Sequence, residues 1–245
     1  MESRRWIFLR GLVRGNAHWG DFPKVLQHLN PTWETEYLEI PGNGTVHSFK
    51  TPLSVEAVIL FLRQRSRFSN QGQAFHICGV SLGGMIALKW AEMYPKEVES
   101  VAIINSSLQQ CSPFYRRLRP NNYLRVLKSL MSSDVARQEE MILQITSNKF
   151  QDTSRYLKYF SDFSCRHPTT KESIMRQLLL ANQIRIERFP DIPLKILSAH
   201  GDRLVSPSCS DEICKAFGGK QFAHPSAGHD LPLDDPEWVC EVLSK

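Results

Sequence analysis

The chain of 245 residues is long enough for a full α/β core, and its 42% hydrophobic and 22% charged residues exclude disorder, collagen-like repeats and coiled coil. Its net charge of +5 is too small to imply nucleic acid, and the longest early apolar run, Trp6 to Leu9, is far too short for a signal-peptide core or a membrane span. The six cysteines, at positions 78, 111, 165, 209, 214 and 240, form no CxxC pair and no metal-ligand spacing, so reduced thiols and a cytoplasmic location are expected.

Four runs in the first hundred residues read as buried strands: Trp6 to Leu9, Tyr37 to Ile40, Ala74 to Val80 and Val98 to Asn105. Between them lie helical patterns, one through Leu53, Val58, Leu60, Phe61 and Leu62, another through Met85, Ile86, Leu88, Trp90 and Ala91, which Pro95 ends. Strand alternating with helix predicts a mostly parallel sheet flanked by helices, because each parallel crossover needs a long connection.

The alternation stops after Ser107. Helices are expected over Tyr123 to Met131, Val135 to Ile145, Arg155 to Phe163 and Lys171 to Ile184, with no convincing strand among them. It then resumes, with a strand over Leu194 to Ser198, a helix over Ser208 to Phe217, a strand over Lys220 to His224 and a closing helix over Asp234 to Leu243. The pattern predicts one α/β core, residues 1–107 and 193–245, carrying an all-helical insertion, residues 108–192. That insertion holds 14 basic and 8 acidic residues, a net of +6, against 16 and 17, a net of −1, in the rest of the chain.

Gly79-Val80-Ser81-Leu82-Gly83 matches G-x-S-x-G, the nucleophile elbow, and its context matches too: a predicted strand precedes it and a predicted helix follows. Small residues at 79 and 83 let such a strained turn close. A serine hydroxyl is a poor nucleophile at neutral pH, so the chemistry demands a base and a group to orient it. His229 directly follows the last predicted strand, and Asp202 follows the one before it. Ser81, Asp202 and His229 therefore all stand at strand C-terminal ends, in the chain order of an α/β-hydrolase triad.

On these residues the sequence resembles the α/β-hydrolase superfamily, in particular its serine esterase-like members with a helical cap, over nearly the whole chain. Phe8-Leu9-Arg10-Gly11-Leu12 is similar to the oxyanion loop, Gly201 to Pro207 to the acid loop, and Gly228 to Pro236 to the histidine loop. The resemblance implies an oxyanion hole made by the backbone amides of Leu12 and Leu82. Many relatives carry histidine before the glycine of the oxyanion loop, where this chain has Arg10.

Other polar residues compete for roles. Arg10 is a candidate receptor for a substrate carboxylate or phosphate, helped by the positive insertion; His18 and Trp19 are candidate substrate contacts in the loop after the first strand. His76 and Cys78 lie inside a predicted strand and read as sheet residues, His200 as part of the acid loop, and Asp234 with Asp235 as a helix cap before Pro236. Phe114, Tyr115, Tyr123 and Tyr159 are candidate apolar liners on the insertion.

The expected function is that of a serine hydrolase, a carboxylesterase cleaving small to medium esters through an acyl-enzyme on Ser81, with no cofactor and no metal. Its expected partner is a small-molecule ester-like substrate, with no nucleic acid and no membrane span, on a monomer or homodimer. Two alternatives stand: a carbon-carbon bond hydrolase or proton-abstraction lyase using the same Ser-His-Asp unit, and a non-catalytic binding protein on the same scaffold.

Overall fold

In the computed structural model, which describes residues 4–132 and 134–245, six parallel strands form one sheet. They are β1 (Arg5–Leu9), β2 (Glu34–Leu38), β3 (Phe75–Val80), β4 (Val98–Ile104), β5 (Leu194–Ala199) and β6 (Lys220–His224), in spatial order β2-β1-β3-β4-β5-β6. The connections run outward from β1 in one direction to β2, then in the other from β3 onward. The order therefore reverses between β1 and β3, and the C-terminal ends of those strands open the crevice where open α/β sheets place their ligands.

Side-chain alternation along each strand sorts the core into two faces. Ile7, Leu9, Ile77, Val101, Ile103 and Ile196 point to one side, where they meet α2 (Val55–Arg65), α4 (Leu82–Met93) and α11 (Ser208–Phe217). Trp6, Phe8, Cys78, Ile104 and Leu197 point to the other, toward α1 (Phe22–Leu29) and α13 (Pro236–Ser244). Both faces are covered, so the central strands β1 and β3 read as nearly continuous apolar runs rather than alternating with polar residues. The short helix α3 (Arg67–Asn70) adds Phe68 to the first face.

Between β4 and β5 the described residues hold only helical elements: α5 (Phe114–Arg117), α6 (Tyr123–Met131), α7 (Val135–Thr146), α8 (Phe150–Thr153), α9 (Leu157–Arg166) and α10 (Lys171–Gln183). Local signals set their ends: the Asp134 carboxylate accepts the Arg137 amide at the start of α7, and Thr170 accepts that of Ser173 at the start of α10. The block's own apolar cluster is small, with Leu143 and Phe160 meeting Leu233 of α12 (Leu231–Asp234).

Several expected boundaries move; the helix expected over Arg155 to Phe163, for one, lies over Leu157–Arg166. The second strand lies over Glu34–Leu38 rather than Tyr37 to Ile40. It is the sheet edge, half-exposed, so its residues include the polar Glu34, Thr35 and Glu36 that hydrophobic patterning passes over. The closing helix is broken at Asp235, whose extended backbone (φ −148°) separates α12 from α13 and whose carboxylate caps the Trp238 amide at 3.1 Å.

Candidate active site

Ser81 sits between β3 and α4 with φ +54°, ψ −116°, a left-handed conformation that a non-glycine residue adopts at a cost of order 1–3 kcal/mol. Its surroundings dictate the glycines of the motif. A Cβ on Gly79 would lie 2.2 Å from the carbonyl group of Gly83, and one on Gly83 would lie 2.5 Å from the Leu9 carbonyl oxygen. The turn is held from β4: the Ser81 amide donates to the Ile104 carbonyl at 2.8 Å, and the Ser106 hydroxyl donates to the Ser81 carbonyl at 2.8 Å. Leu82 opens α4, so its N–H is among the first amides that a helix leaves without an internal partner.

The acid and histidine loops meet beside this turn. His229 Nδ1 is 2.7 Å from Asp202 Oδ2, while Asp202 Oδ1 accepts the Leu204 and Val205 amides at 2.8 and 2.9 Å. Both carboxylate oxygens are thereby engaged, and both residues are buried. Burial pushes the His229 pKa down, but the Asp202 charge and hydrogen bond outweigh it, so the net shift is upward from 6.5. Ser81 makes no hydrogen bond to His229 in this structure.

Sequence reading missed Asn105 and Gln177. Asn105, at φ +47° just past β4, donates to the Gly228 and His229 carbonyls at 3.2 and 2.9 Å and accepts the Ala199 amide at 2.9 Å. It ties the ends of β4 and β5 to the histidine loop. Gln177 of α10 is fully buried and accepts the Val13 amide at 3.0 Å, holding a β-branched residue at φ +59° next to Leu12. Its amide nitrogen donates to Asn43 Oδ1 at 2.7 Å. The one-letter pattern around Asn105 could have flagged it as a polar residue ending a buried strand; nothing local marks Gln177, which looks like any polar residue on an amphipathic helix.

The three expected substrate contacts take other positions. The Arg10 guanidinium forms two hydrogen bonds to Asp230, at 2.8 and 2.6 Å, and both side chains are buried, so it is not free to receive a substrate anion. His18 is buried against Phe160 and Phe163, with its Nε2 3.4 Å from Glu139 Oε1, and Trp19 packs between Phe8 and Phe22 in the core. These two residues belong to the packing of the core and of the seam with the helical block. Phe114, Tyr115, Tyr123 and Tyr159 are all exposed rather than enclosed.

The remaining candidates behave as sheet and loop residues. His76 bonds Ser100 across β3 and β4 at 2.7 Å, Cys78 is buried with its thiol pKa raised by desolvation, and the His200 amide donates to the His224 carbonyl at 2.9 Å. Asp234 is not a helix cap. It is a buried acceptor for the Ser147 hydroxyl at 2.5 Å and for the Asn148 and Gly228 amides at 3.0 and 2.7 Å, joining the histidine loop to the helical block. Among the described residues no group of three or more His, Cys, Asp or Glu side chains is placed to hold a metal ion, and no helix is long and apolar enough to cross a membrane.

A parallel sheet with a strained serine elbow and a His-Asp pair after its last two strands defines an α/β hydrolase. The family model for serine aminopeptidase, S33, matches residues 41–235, and the chain belongs to this family of α/β-hydrolase enzymes. Among curated proteins, it is 22% identical over 244 residues to the monoacylglycerol lipase ABHD6 of Mus musculus, covering 93% of this chain and 71% of that protein. Two solved structures share its fold. The 2-hydroxy-6-oxo-6-phenylhexa-2,4-dienoate hydrolase of Rhodococcus sp. strain RHA1 has a TM-score of 0.76 and 15% identity, with 98% of this chain and 89% of that one covered. The enol-lactonase of Burkholderia xenovorans LB400 has a TM-score of 0.73 and 15% identity, with 100% and 93% covered.

Proposed function

We propose that the protein is a carboxylesterase that cleaves small to medium esters through an acyl-enzyme on Ser81. The observation that carries this reading is the 2.7 Å His229–Asp202 contact beside a serine held in the left-handed elbow conformation. The reaction requires the Ser81 hydroxyl to meet His229 Nε2, a contact that is often long in the free enzyme and tightens with substrate bound. His229 takes the hydroxyl proton as Ser81 attacks the ester carbonyl, Asp202 stabilises the imidazolium, and the Leu12 and Leu82 amides receive the oxyanion, each worth about 3 kcal/mol. The proton then passes to the departing alcohol. Water resolves the acyl-enzyme by the same route, with His229 again the base.

Monoacylglycerol lipase among the relatives supports glycerol monoesters as the first substrates to try. The helical block acts as the cap in this reading, since it leaves the core after β4 and returns before β5, next to the acid loop. A cytoplasmic site of action is supported by six unpaired cysteines. The test is a hydrolysis screen over monoacylglycerols, simple esters, thioesters, lactones and amides, with Ser81→Ala as control. Ester turnover that vanishes in the control supports the proposal; turnover confined to another bond, or unchanged by the substitution, overturns it.

A further inference from the structure

Next to His229 the histidine loop carries a buried carboxylate whose purpose the triad does not explain. Asp230 directly follows His229, and both are about 5–6% exposed. Two carboxylates beside one imidazole would overstabilise the imidazolium and leave little free base near neutrality. Arg10 answers that charge from the opposite side. Its guanidinium lies 4.9 Å from the centre of the Trp19 ring, and its two terminal nitrogens hold both Asp230 oxygens, at 2.8 and 2.6 Å. Arg10 also abuts the elbow through its backbone, since a Cβ on Gly83 would lie 2.6 Å from the Arg10 carbonyl oxygen. One residue thus touches the oxyanion loop, the start of α4 and the histidine loop.

We infer that the Arg10–Asp230 pair is a positioning and charge-balancing device for the catalytic base. It fastens the loop bearing His229 to the loop bearing the Leu12 amide, and it cancels the Asp230 charge so that Asp202 alone sets the imidazole's basicity. This rests on the esterase reading for its catalytic meaning, but not for its test. The charged groups acting on His229 are Asp202 from the acid loop, Asp230 from its own loop and Arg10 from the oxyanion loop; Asp202 and Asp230 raise its pKa and Arg10 lowers it. Arg14 acts in turn on Asp230.

The signs make the inference testable, because a guanidinium does not deprotonate. Asp230→Asn leaves the Arg10 charge unbalanced, so the His229 midpoint should fall by about one pH unit, a tenfold loss of proton affinity. Arg10→Gln/Asp230→Asn removes both charges and should return the midpoint to within a few tenths of wild type. Arg10→Lys keeps the charge without the paired geometry; it should leave the midpoint in place while lowering kcat more than it changes KM.

The measurement is an NMR titration of histidine-labelled protein, with the His229 signal assigned from a His229→Gln spectrum, run beside kcat/KM profiles. If Asp230→Asn does not fold, Arg10→Gln takes its place: it leaves the Asp230 charge unbalanced and should raise the midpoint by about one pH unit, and a fixed midpoint there overturns the inference. The inference is overturned if the midpoint stays fixed in Asp230→Asn, or if it moves in Arg10→Lys while kcat does not. The titration needs no substrate, so failure of the ester reading and failure of this one appear as separate results.

Discussion

The sheet core and the helical block differ in how much of their fastening is polar. In the core, apolar side chains fill both faces of the sheet, and Trp6, Phe8, Ile7 and Leu9 of β1 alone are each no more than 1% exposed. The helical block adds Leu180, Ile184 and Ile186 to the first face of that core, and is fastened besides by buried polar groups. Glu139 of α7 is buried and pairs with Arg14 of the loop after β1, Asp234 accepts bonds from Ser147 and Asn148, and Arg203 donates to the Gln144 and Ser147 carbonyls at 2.7 Å. Arg119 donates to the Asp202 carbonyl at 2.9 Å, so the fastening reaches the acid loop itself. Apolar burial tolerates pH and small adjustments, whereas buried polar seams depend on charge state and geometry. Chemistry set in the core and a seam set by charge should therefore fail under different perturbations.

The largest effect should fall on the core side. Ser81→Ala should lower turnover on the best ester by about 10⁶-fold, and Asp202→Asn by about 10⁴-fold, with thermal unfolding of Ser81→Ala close to wild type. A seam substitution should do the reverse. Glu139→Ala leaves the Arg14 guanidinium buried without its partner and should cost about 3–5 kcal/mol in denaturant unfolding. Burial alone would raise the Glu139 pKa, but Arg14 outweighs it and holds the carboxyl well below 4.5. His18 lowers it further, while burial, with Arg14 behind it, lowers the His18 pKa from 6.5. A carboxylate depressed in the folded state contributes stability that is fully present above the unfolded value near 4.5 and lost progressively as pH falls from there through the much lower folded value, so strong acid, rather than mild, should loosen this seam. Limited proteolysis between residues 108 and 192 would report that loosening, and equal cleavage of Glu139→Ala and wild type at pH 7 would contradict it.

A smaller effect should follow from Gln177→Leu, which removes the acceptor for the Val13 amide and should cost about 1–3 kcal/mol. Because Val13 adjoins the oxyanion loop, kcat should drop while KM moves little; a change in KM alone would place Gln177 in substrate binding. The smallest concerns pH. With the His229 pKa raised above 6.5, kcat/KM on a slow ester should climb through an inflection above that value and then level off. An inflection below 6.5 would mean that desolvation, rather than Asp202, dominates the base.

The core was legible because its signals are local. Ser208–Phe217 and Lys220–His224 occur at the expected positions, and the run before Ser81 forms β3, since period and punctuation act within a few residues. The elbow, acid and histidine positions were legible for the same reason: each stands at the end of a recognisable strand. The seam was not. Glu139 pairs with a residue 125 positions away and Asp234 with one 87 away, and nothing near either distinguishes it from a solvated charge or a helix cap. Arg10 shows the limit most clearly. Its departure from the family's usual histidine was visible, but its partner at Asp230, 220 positions on, appears only once the histidine loop folds back across β1.

The central claim is that Ser81 becomes acylated, and it can be read directly by mass. The protein should be mixed with a slow ester, quenched in acid during turnover, and its intact mass and peptides measured. The account predicts an added acyl group on the peptide bearing Ser81, absent after the ester is exhausted and absent from Ser81→Ala. Continued hydrolysis with no adduct at any quench time, or an adduct on another residue, would contradict it.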